Sequence, residues 1–265
     1  MDDRLIAEFY DSIGNSYDQA FYFQACDPLY QAEIARFAAG RRLRRVLDLG
    51  CGTGKQTILL SPLADEVWAI DLSAKSLGRA RDRCAGAGAR NVRFLHQSIE
   101  TLPFQDGSVD AIFSYGDVIS HVHDAYEQVF RECARVLLPG GLMAFEVDGK
   151  WELDMLLHNP VERGSAWAAP RVGHLRIWRG IPCKTFTDPE LRAILCGVGL
   201  RVVRTRGVNI LHCLLPEPVL MGPPEEVGPA WRLASSVLQR VDAAVGLLPA
   251  FYRLASTRLV AAIKG

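Results

Sequence analysis

The sequence carries no net charge. Its 30 acidic side chains balance 30 basic ones, which removes any electrostatic reason to expect nucleic acid or an anionic membrane as the main partner. The one basic cluster, Arg41, Arg42, Arg44 and Arg45, is short and reads as a solvated loop between a helix and a strand. No apolar run is long enough to cross a bilayer, so no stable membrane insertion is expected. The opening Met1-Asp2-Asp3-Arg4 lacks the form of a secretory signal. The seven cysteines include no C-x-x-C pair, which excludes a zinc or dithiol redox motif. Their odd number and scatter suit a reducing, cytoplasmic compartment. Internal repeats and low-complexity tracts are also absent.

What is present is apolar: 49% of the 265 residues. That suffices for one large α/β domain, or one domain with a sizeable insertion. The first forty residues read as two helices. Leu5, Ile6, Phe9, Tyr10 and Ile13 recur at helical spacing, and Asp27-Pro28 has the form of an N-cap followed by proline at the first helical position. From Arg45 short apolar runs alternate with helical stretches, the rhythm of a parallel sheet with crossover helices. Strands are expected at residues 46–49, 66–70, 92–95, 109–113 and 142–147, then at 200–206 and 258–263. Val122, Ala125, Val129, Phe130, Cys133, Val136 and Leu137 predict one continuous helix, broken by Pro139-Gly140-Gly141. Ser73 and Thr187 are expected N-caps. Two segments, 150–182 and 209–256, interrupt the rhythm. The second carries an amphipathic helix with Ala234, Val237, Leu238, Val241, Val245 and Leu248.

Asp48-Leu49-Gly50-Cys51-Gly52-Thr53-Gly54 lies between a strand and a helix. Glycines there let the backbone turn tightly and approach a ligand, and the following helix presents unpaired N–H groups. A phosphate-binding loop of the form G-x-x-x-x-G-K-[ST] would need glycine at Leu49 and Ser or Thr at Gln56. A dinucleotide fingerprint would need Gly or Ala at Lys55. Roughly 20 residues beyond Gly50, Asp71 ends the second strand, where a carboxylate accepts ribose hydroxyls. Asp48 before the glycines favours a ligand with positive charge over a pyrophosphate. A ribose together with an ammonium group describes S-adenosyl-L-methionine (SAM).

Residues 46–54 resemble the nucleotide-binding motif of class I SAM-dependent methyltransferases. Gln97-Ser98-Ile99-Glu100 is similar to the family's adenine-binding segment. Ile119-Ser120-His121-Val122, residues 135–141 and residues 186–199 follow in the family's order. The style is that of ubiquinone- and menaquinone-biosynthesis methyltransferases and many natural-product enzymes. The resemblance implies a Rossmann-like, seven-stranded, mostly parallel sheet with helices on both faces and an antiparallel last strand. It implies that Gly50, Cys51, Gly52 and Gly54 line the methionine part of SAM, that Asp71 binds the ribose with Leu72 against the adenine, and that Ile99 offers its N–H to the adenine ring. Ser98 stands where the family often has Asp, a weaker acceptor, and Glu100 is the alternative. Ser114 and Tyr115 would flank the methionine end, and Tyr17 resembles an N-terminal tyrosine that closes over the cofactor.

The expected reaction is in-line transfer of the methyl group to a small-molecule acceptor, in which the protein aligns the nucleophile and excludes water. A base is needed only where the acceptor gives up a proton. His121 is the first candidate, then Asp117 and Tyr115; His121 in a plainer role packs or caps the helix beginning near Ser120. His121 and His123 have no evident third ligand, so no metal is expected. The expected organisation has residues 1–40 closing over the cofactor site. Residues 41–149, 183–208 and 257–265 form the core, and 150–182 with 209–256 form a cap. Both cap segments leave carboxyl ends of strands, the edge where ligands bind. Trp151, Trp167, Trp178, Leu214, Leu215, Met221 and Trp231 there suit an apolar or aromatic acceptor. The alternative is a non-catalytic SAM-binding or assembly protein. A nucleic-acid or protein methyltransferase is disfavoured by Ser114-Tyr115-Gly116-Asp117, which lacks an Asn/Asp-Pro-Pro-Tyr motif. Acceptor and oligomeric state are not legible.

Overall fold

The computed structural model describes residues 3–265, with side chains for all of these except residues 3, 13–19, 23 and 123. Two helices lead: α1 (Asp3–Gln19) and α2 (Phe21–Ala38). Pro28 sits inside α2 rather than at its start, so the expected N-cap at Asp27 is corrected. The helix begins at Phe21, whose N–H donates to the Gly222 carbonyl at 3.0 Å. Anchoring from the distant second insertion therefore sets a boundary that local sequence signals misplace.

The alternating section follows the expected order: β1 (Leu43–Leu49), α3 (Lys55–Leu60), β2 (Ala64–Asp71), α4 (Ala74–Gly86), β3 (Val92–His96) and β4 (Val109–Ser114). The Ser73 side chain caps α4 by accepting from the Ser76 N–H. Leu77, Ala80 and Cys84 face inward on that helix. Of the helix expected from Val122 to Leu137, only α6 (Tyr126–Val136) is α-helical; a short 3₁₀ turn over His123–Ala125 precedes it, after a separate short helix, α5 (Val118–His121). Pro139-Gly140-Gly141 lies within a strand, β5 (Leu137–Asp148), which starts directly after α6. Its register against β4 shifts between Val109 and Ala111, and Gly140 takes φ +74°. The glycine-rich stretch is thus absorbed by an irregular strand entry.

The first insertion folds as α7 (Leu153–His158), α8 (Pro160–Ala168) and an antiparallel hairpin of β6 (Leu175–Trp178) and β7 (Ile181–Lys184). Then come α9 (Asp188–Gly197) and β8 (Leu200–Val208), followed by α10 (Glu217–Met221), α11 (Pro229–Val245) and α12 (Pro249–Tyr252), and finally β9 (Thr257–Lys264). The main sheet has seven strands in the order β3-β2-β1-β4-β5-β9-β8, with β9 antiparallel to both neighbours. Its two faces bury apolar clusters around Phe130, Phe145 and Phe186 on one side and Ile34, Val46 and Phe113 on the other.

On α11 the expected apolar stripe is split: Ala234, Leu238 and Val245 are half-buried beside buried Ser235 and Asp242, while Val237 and Val241 are exposed. The helix is attached by polar bonds. The Asp242 carboxylate accepts the backbone N–H groups of Ile210, Leu211 and His212 at 2.9–3.1 Å, and Ser235 Oγ bonds His212 Nε2 at 2.8 Å. No helix among the described residues is long and apolar enough to cross a membrane.

Candidate active site

The strand order reverses between β1 and β4, and a cavity opens there at the carboxyl edge of the sheet. Its empty space is about 1250 Å³, including the open solvent at its mouth. The floor is the turn after β1. Gly50 N–H and Cys51 N–H both donate to the Ile70 carbonyl, at 2.8 and 3.0 Å, which fixes the turn to β2. Gly50 has φ +67°, and a Cβ there would collide with the Val118 side chain. Gly54 has φ +82° and lies against Ala80 of α4. Neither position admits another residue without displacement.

Asp71 ends β2 at the cavity wall. Its Oδ2 accepts the Gly52 N–H at 2.7 Å and its Oδ1 the Ser73 N–H at 2.8 Å. Burial raises its carboxyl above the ordinary range, opposed by those two donors. Gly50, Cys51, Gly52, Leu72, Ile99, Tyr115 and His121 also line the cavity. Asp48, Gly54, Ser98, Glu100, Ser114 and Asp117 are not among the lining residues. Asp48 is corrected: it turns away, fully buried, and accepts from Thr57 Oγ1 at 2.6 Å, its carboxyl pushed up to about 7 by burial. Ser114 Oγ donates to the Leu49 carbonyl at 3.1 Å and ties β4 to β1. Ser98 Oγ accepts the Glu100 N–H at 3.3 Å, so these two serve the loop around Ile99. Gly54 is in the turn but not on the wall. The Tyr17 side chain lies outside the described residues.

Asp117 has φ +57°, and its Oδ1 is buried with no hydrogen-bond partner among the described residues. Burial, with Asp148 and Glu146 nearby, holds its carboxyl well above the ordinary range. It stands behind the wall, between the lining residues Gly116 and Val118. The Tyr115 hydroxyl is likewise buried and without a hydrogen-bond partner among the described residues. Its ring stacks on Tyr30 with centroids 5.4 Å apart. His121, at the end of α5, is 7% exposed. Its Nε2 meets the Tyr10 hydroxyl at 3.0 Å and its Nδ1 meets Cys183 Sγ at 3.4 Å. Burial lowers its pKa to about 4, so the imidazole is neutral at physiological pH.

Several wall residues escaped the sequence reading. Ile6, Ala7 and Tyr10 come from α1, and Asp27 and Tyr30 from α2. Lys55 Nζ pairs with Asp27 Oδ2 at 2.8 Å, and both line the cavity. Glu146, on β5, is a buried organiser. It accepts from the Tyr30 hydroxyl at 2.9 and 3.0 Å, Thr257 Oγ1 at 2.8 Å and the Gly116 N–H at 2.9 Å. Helical periodicity in residues 3–38 was the only available signal for the α1 and α2 wall; nothing local marked Glu146. Among the lining residues none comes from 150–182 or 209–256. These insertions reach the site indirectly. Trp178 lies 5.9 Å from Phe9 and 6.4 Å from His121, ring centre to ring centre, and Tyr22 stacks on His212. Trp167 and Trp231 are exposed. Among the described residues no three His, Cys, Asp or Glu side chains gather to hold a metal ion.

Residues 46–141 match the profile of a methyltransferase domain family. The chain is 31% identical over 182 residues to the demethylmenaquinone methyltransferase of Thermus thermophilus, covering 64% of this chain and 81% of that protein. The chain belongs to the class I SAM-dependent methyltransferases. Within this family it is also 36% identical over 102 residues to the 27-O-demethylrifamycin SV methyltransferase of Amycolatopsis mediterranei, covering 38% of this chain and 37% of that one. It spans less than half the length of several curated relatives it matches. A DhpI–SAH complex structure superposes with a TM-score of 0.57 at 20% identity, over 99% of this methyltransferase and 97% of that chain. SAM is the cofactor of this methyltransferase, and the cavity fits it. Its lining combines the Asp71 carboxylate with apolar Leu72 and Ile99, open space faces the Gly52 Cα, and the Tyr115 hydroxyl is a buried polar atom without a hydrogen-bond partner among the described residues.

Proposed function

We propose that the protein transfers a methyl group from SAM to a small, apolar or aromatic acceptor in this cavity. The observation that carries the reading is one continuous cavity. It joins the Gly50–Gly52 turn and Asp71 to the Tyr10–His121 pair through walls rich in Ile6, Ala7, Tyr30, Val118 and Val122. When bound, the cofactor supplies a methyl group on a positively charged sulfur. Asp71 accepts the ribose hydroxyls, with Leu72 and Ile99 against the adenine and Ser98 and Glu100 shaping that loop. Gly50, Cys51 and Gly52 let the backbone lie along the methionine part. The Lys55–Asp27 pair and the Tyr115 hydroxyl meet its polar end. The family's N-terminal tyrosine role falls to Tyr17.

His121 is the base for an acceptor that must lose a proton. Helices α1 and α2 close the cavity, and segments 150–182 and 209–256 act as an outer cap that buttresses them. The Phe9–Trp178 and Tyr22–His212 contacts support this division. The seven unpaired thiols support a reducing, cytoplasmic setting.

The test is to incubate the protein with methyl-labelled SAM and a panel of small phenols, quinols and amines, reading labelled product by mass spectrometry. Labelled apolar or aromatic product is expected, with turnover falling about 10²–10³-fold in His121→Ala at unchanged SAM affinity. Bound SAM that never loses its methyl group across the panel would favour a non-catalytic role. Near-full turnover in His121→Ala would remove the base assignment.

A further inference from the structure

Tyr10, His121 and Cys183 form a chain from the cavity wall into the protein, built from three separate elements: α1, α5 and the β6–β7 hairpin. Tyr10 lines the cavity, its hydroxyl 3.0 Å from His121 Nε2, and Cys183 Sγ lies 3.4 Å from His121 Nδ1. The direction of these bonds depends on where the single thiol hydrogen lies. A thiol has one, and Cys183 Sγ is within reach of two acceptors, His121 Nδ1 at 3.4 Å and the Ile181 carbonyl at 3.6 Å. With the thiol hydrogen on the Ile181 carbonyl, the arrangement proposed below, the sulfur accepts from His121 and Nδ1 carries the ring hydrogen. A neutral imidazole has only one N–H, so Nε2 holds a lone pair and accepts from the Tyr10 hydroxyl. Having donated its hydrogen there, the phenolic oxygen meets any further partner as an acceptor. The surroundings hold the arrangement in place: Phe9, Tyr10 and Trp178 make edge or tilted ring contacts around the imidazole.

We propose that Tyr10 is the residue that touches the acceptor and relays its proton to His121 Nε2, and that Cys183 is a positioning residue that fixes the imidazole tautomer required. This rests on the methyltransferase reading and narrows its acceptor to a nucleophile that gives up a proton. As the acceptor's X–H proton passes to Tyr10 Oη, the Tyr10 proton passes to Nε2. The electron pair left on the acceptor forms the bond to the methyl carbon, and the carbon–sulfur pair returns to sulfur. One positive charge is lost at sulfur and one gained at the imidazole; the phenol ends neutral.

The test is nitrogen-resolved NMR of the His121 ring, assigned with His121→Gln, in the wild type, Tyr10→Phe, Cys183→Ser and Cys183→Ala, with and without S-adenosylhomocysteine. The expected wild-type spectrum has a protonated Nδ1 and an unprotonated Nε2. Tyr10→Phe should shift Nε2 toward its unbonded position with the tautomer kept. Cys183→Ala should lose the single tautomer, and Cys183→Ser, which keeps an acceptor, should restore it. A wild-type ring protonated at Nε2, or an Nε2 signal unmoved by Tyr10→Phe, overturns the relay, as does a tautomer indifferent to Cys183→Ala. Calorimetry with S-adenosylhomocysteine on the same samples separates the two readings. Absence of binding to the wild type counts against the methyltransferase reading, whereas binding with an unmoved ring overturns the relay alone.

Discussion

Asp48 and Asp71 stand near the ends of neighbouring strands and have opposite surroundings. Asp71 is held by two backbone donors at the cavity wall, whereas Asp48 is sealed behind the turn with Thr57 as partner. Burial raises Asp48 from 3.8 to about 7, so the folded state holds a proton that the unfolded chain releases near pH 4. Its contribution to stability is complete below about pH 4 and is lost as pH rises through about 7. Asp48→Asn should therefore flatten the pH dependence of stability over that interval, with a difference on the order of 2–4 kcal/mol. Urea titrations from pH 4 to pH 8 check this, and parallel curves for the two proteins would contradict it. The sequence spacing singled out both carboxylates but not which one lines the cavity, because Thr57 holds Asp48 only once α3 is in place. Tyr10, Asp27 and Cys183 were illegible for a related reason. Each meets its site partner across a long stretch of chain, and no local pattern encodes such a meeting.

Among the elements, those whose ends are set by their own residues were readable. Helix α9 is an example: Thr187 and Glu190 form a reciprocal capping box, with Pro189 in the first turn. Thr187 Oγ1 also donates to the Arg171 carbonyl at 2.7 Å, tying the first insertion to this helix. Thr187→Ala should cost about 1 kcal/mol, or a Tm lower by about 2–4 °C, in a thermal unfolding scan. An unchanged Tm would show that the cap is replaced by solvent. Elements whose ends depend on distant partners were misread. Phe21 starts α2 by bonding Gly222, and the α5–α6 break falls where the apolar periodicity continues unbroken through Val122 and Ala125. The β6–β7 hairpin was missed because Trp178, Arg179, Gly180 and Ile181 carry its turn without a strong alternation on either side. The stripe on α11 is split, with Leu238 and Val245 half-buried beside Ser235 and Asp242 and with Val237 and Val241 exposed.

For the molecule as a whole, the alternation of apolar runs with helices announced the sheet, and the seven strands with β9 antiparallel are those the resemblance implied. What the order alone could not convey is which segments wall the cavity. The strands place both insertions at the carboxyl edge, but α1 and α2 reach the cavity first and the insertions pack outside them. The central claim is that this cavity binds SAM through Asp71. Calorimetric titration of the protein with SAM, with NAD and with SAM against Asp71→Ala tests it most directly. The account predicts saturable SAM binding, no NAD binding, and at least about 100-fold weaker SAM binding in the variant, since Asp71 holds the Gly52 turn and is the proposed ribose acceptor. Absence of SAM binding by the wild type, or equal affinity in Asp71→Ala, would contradict it.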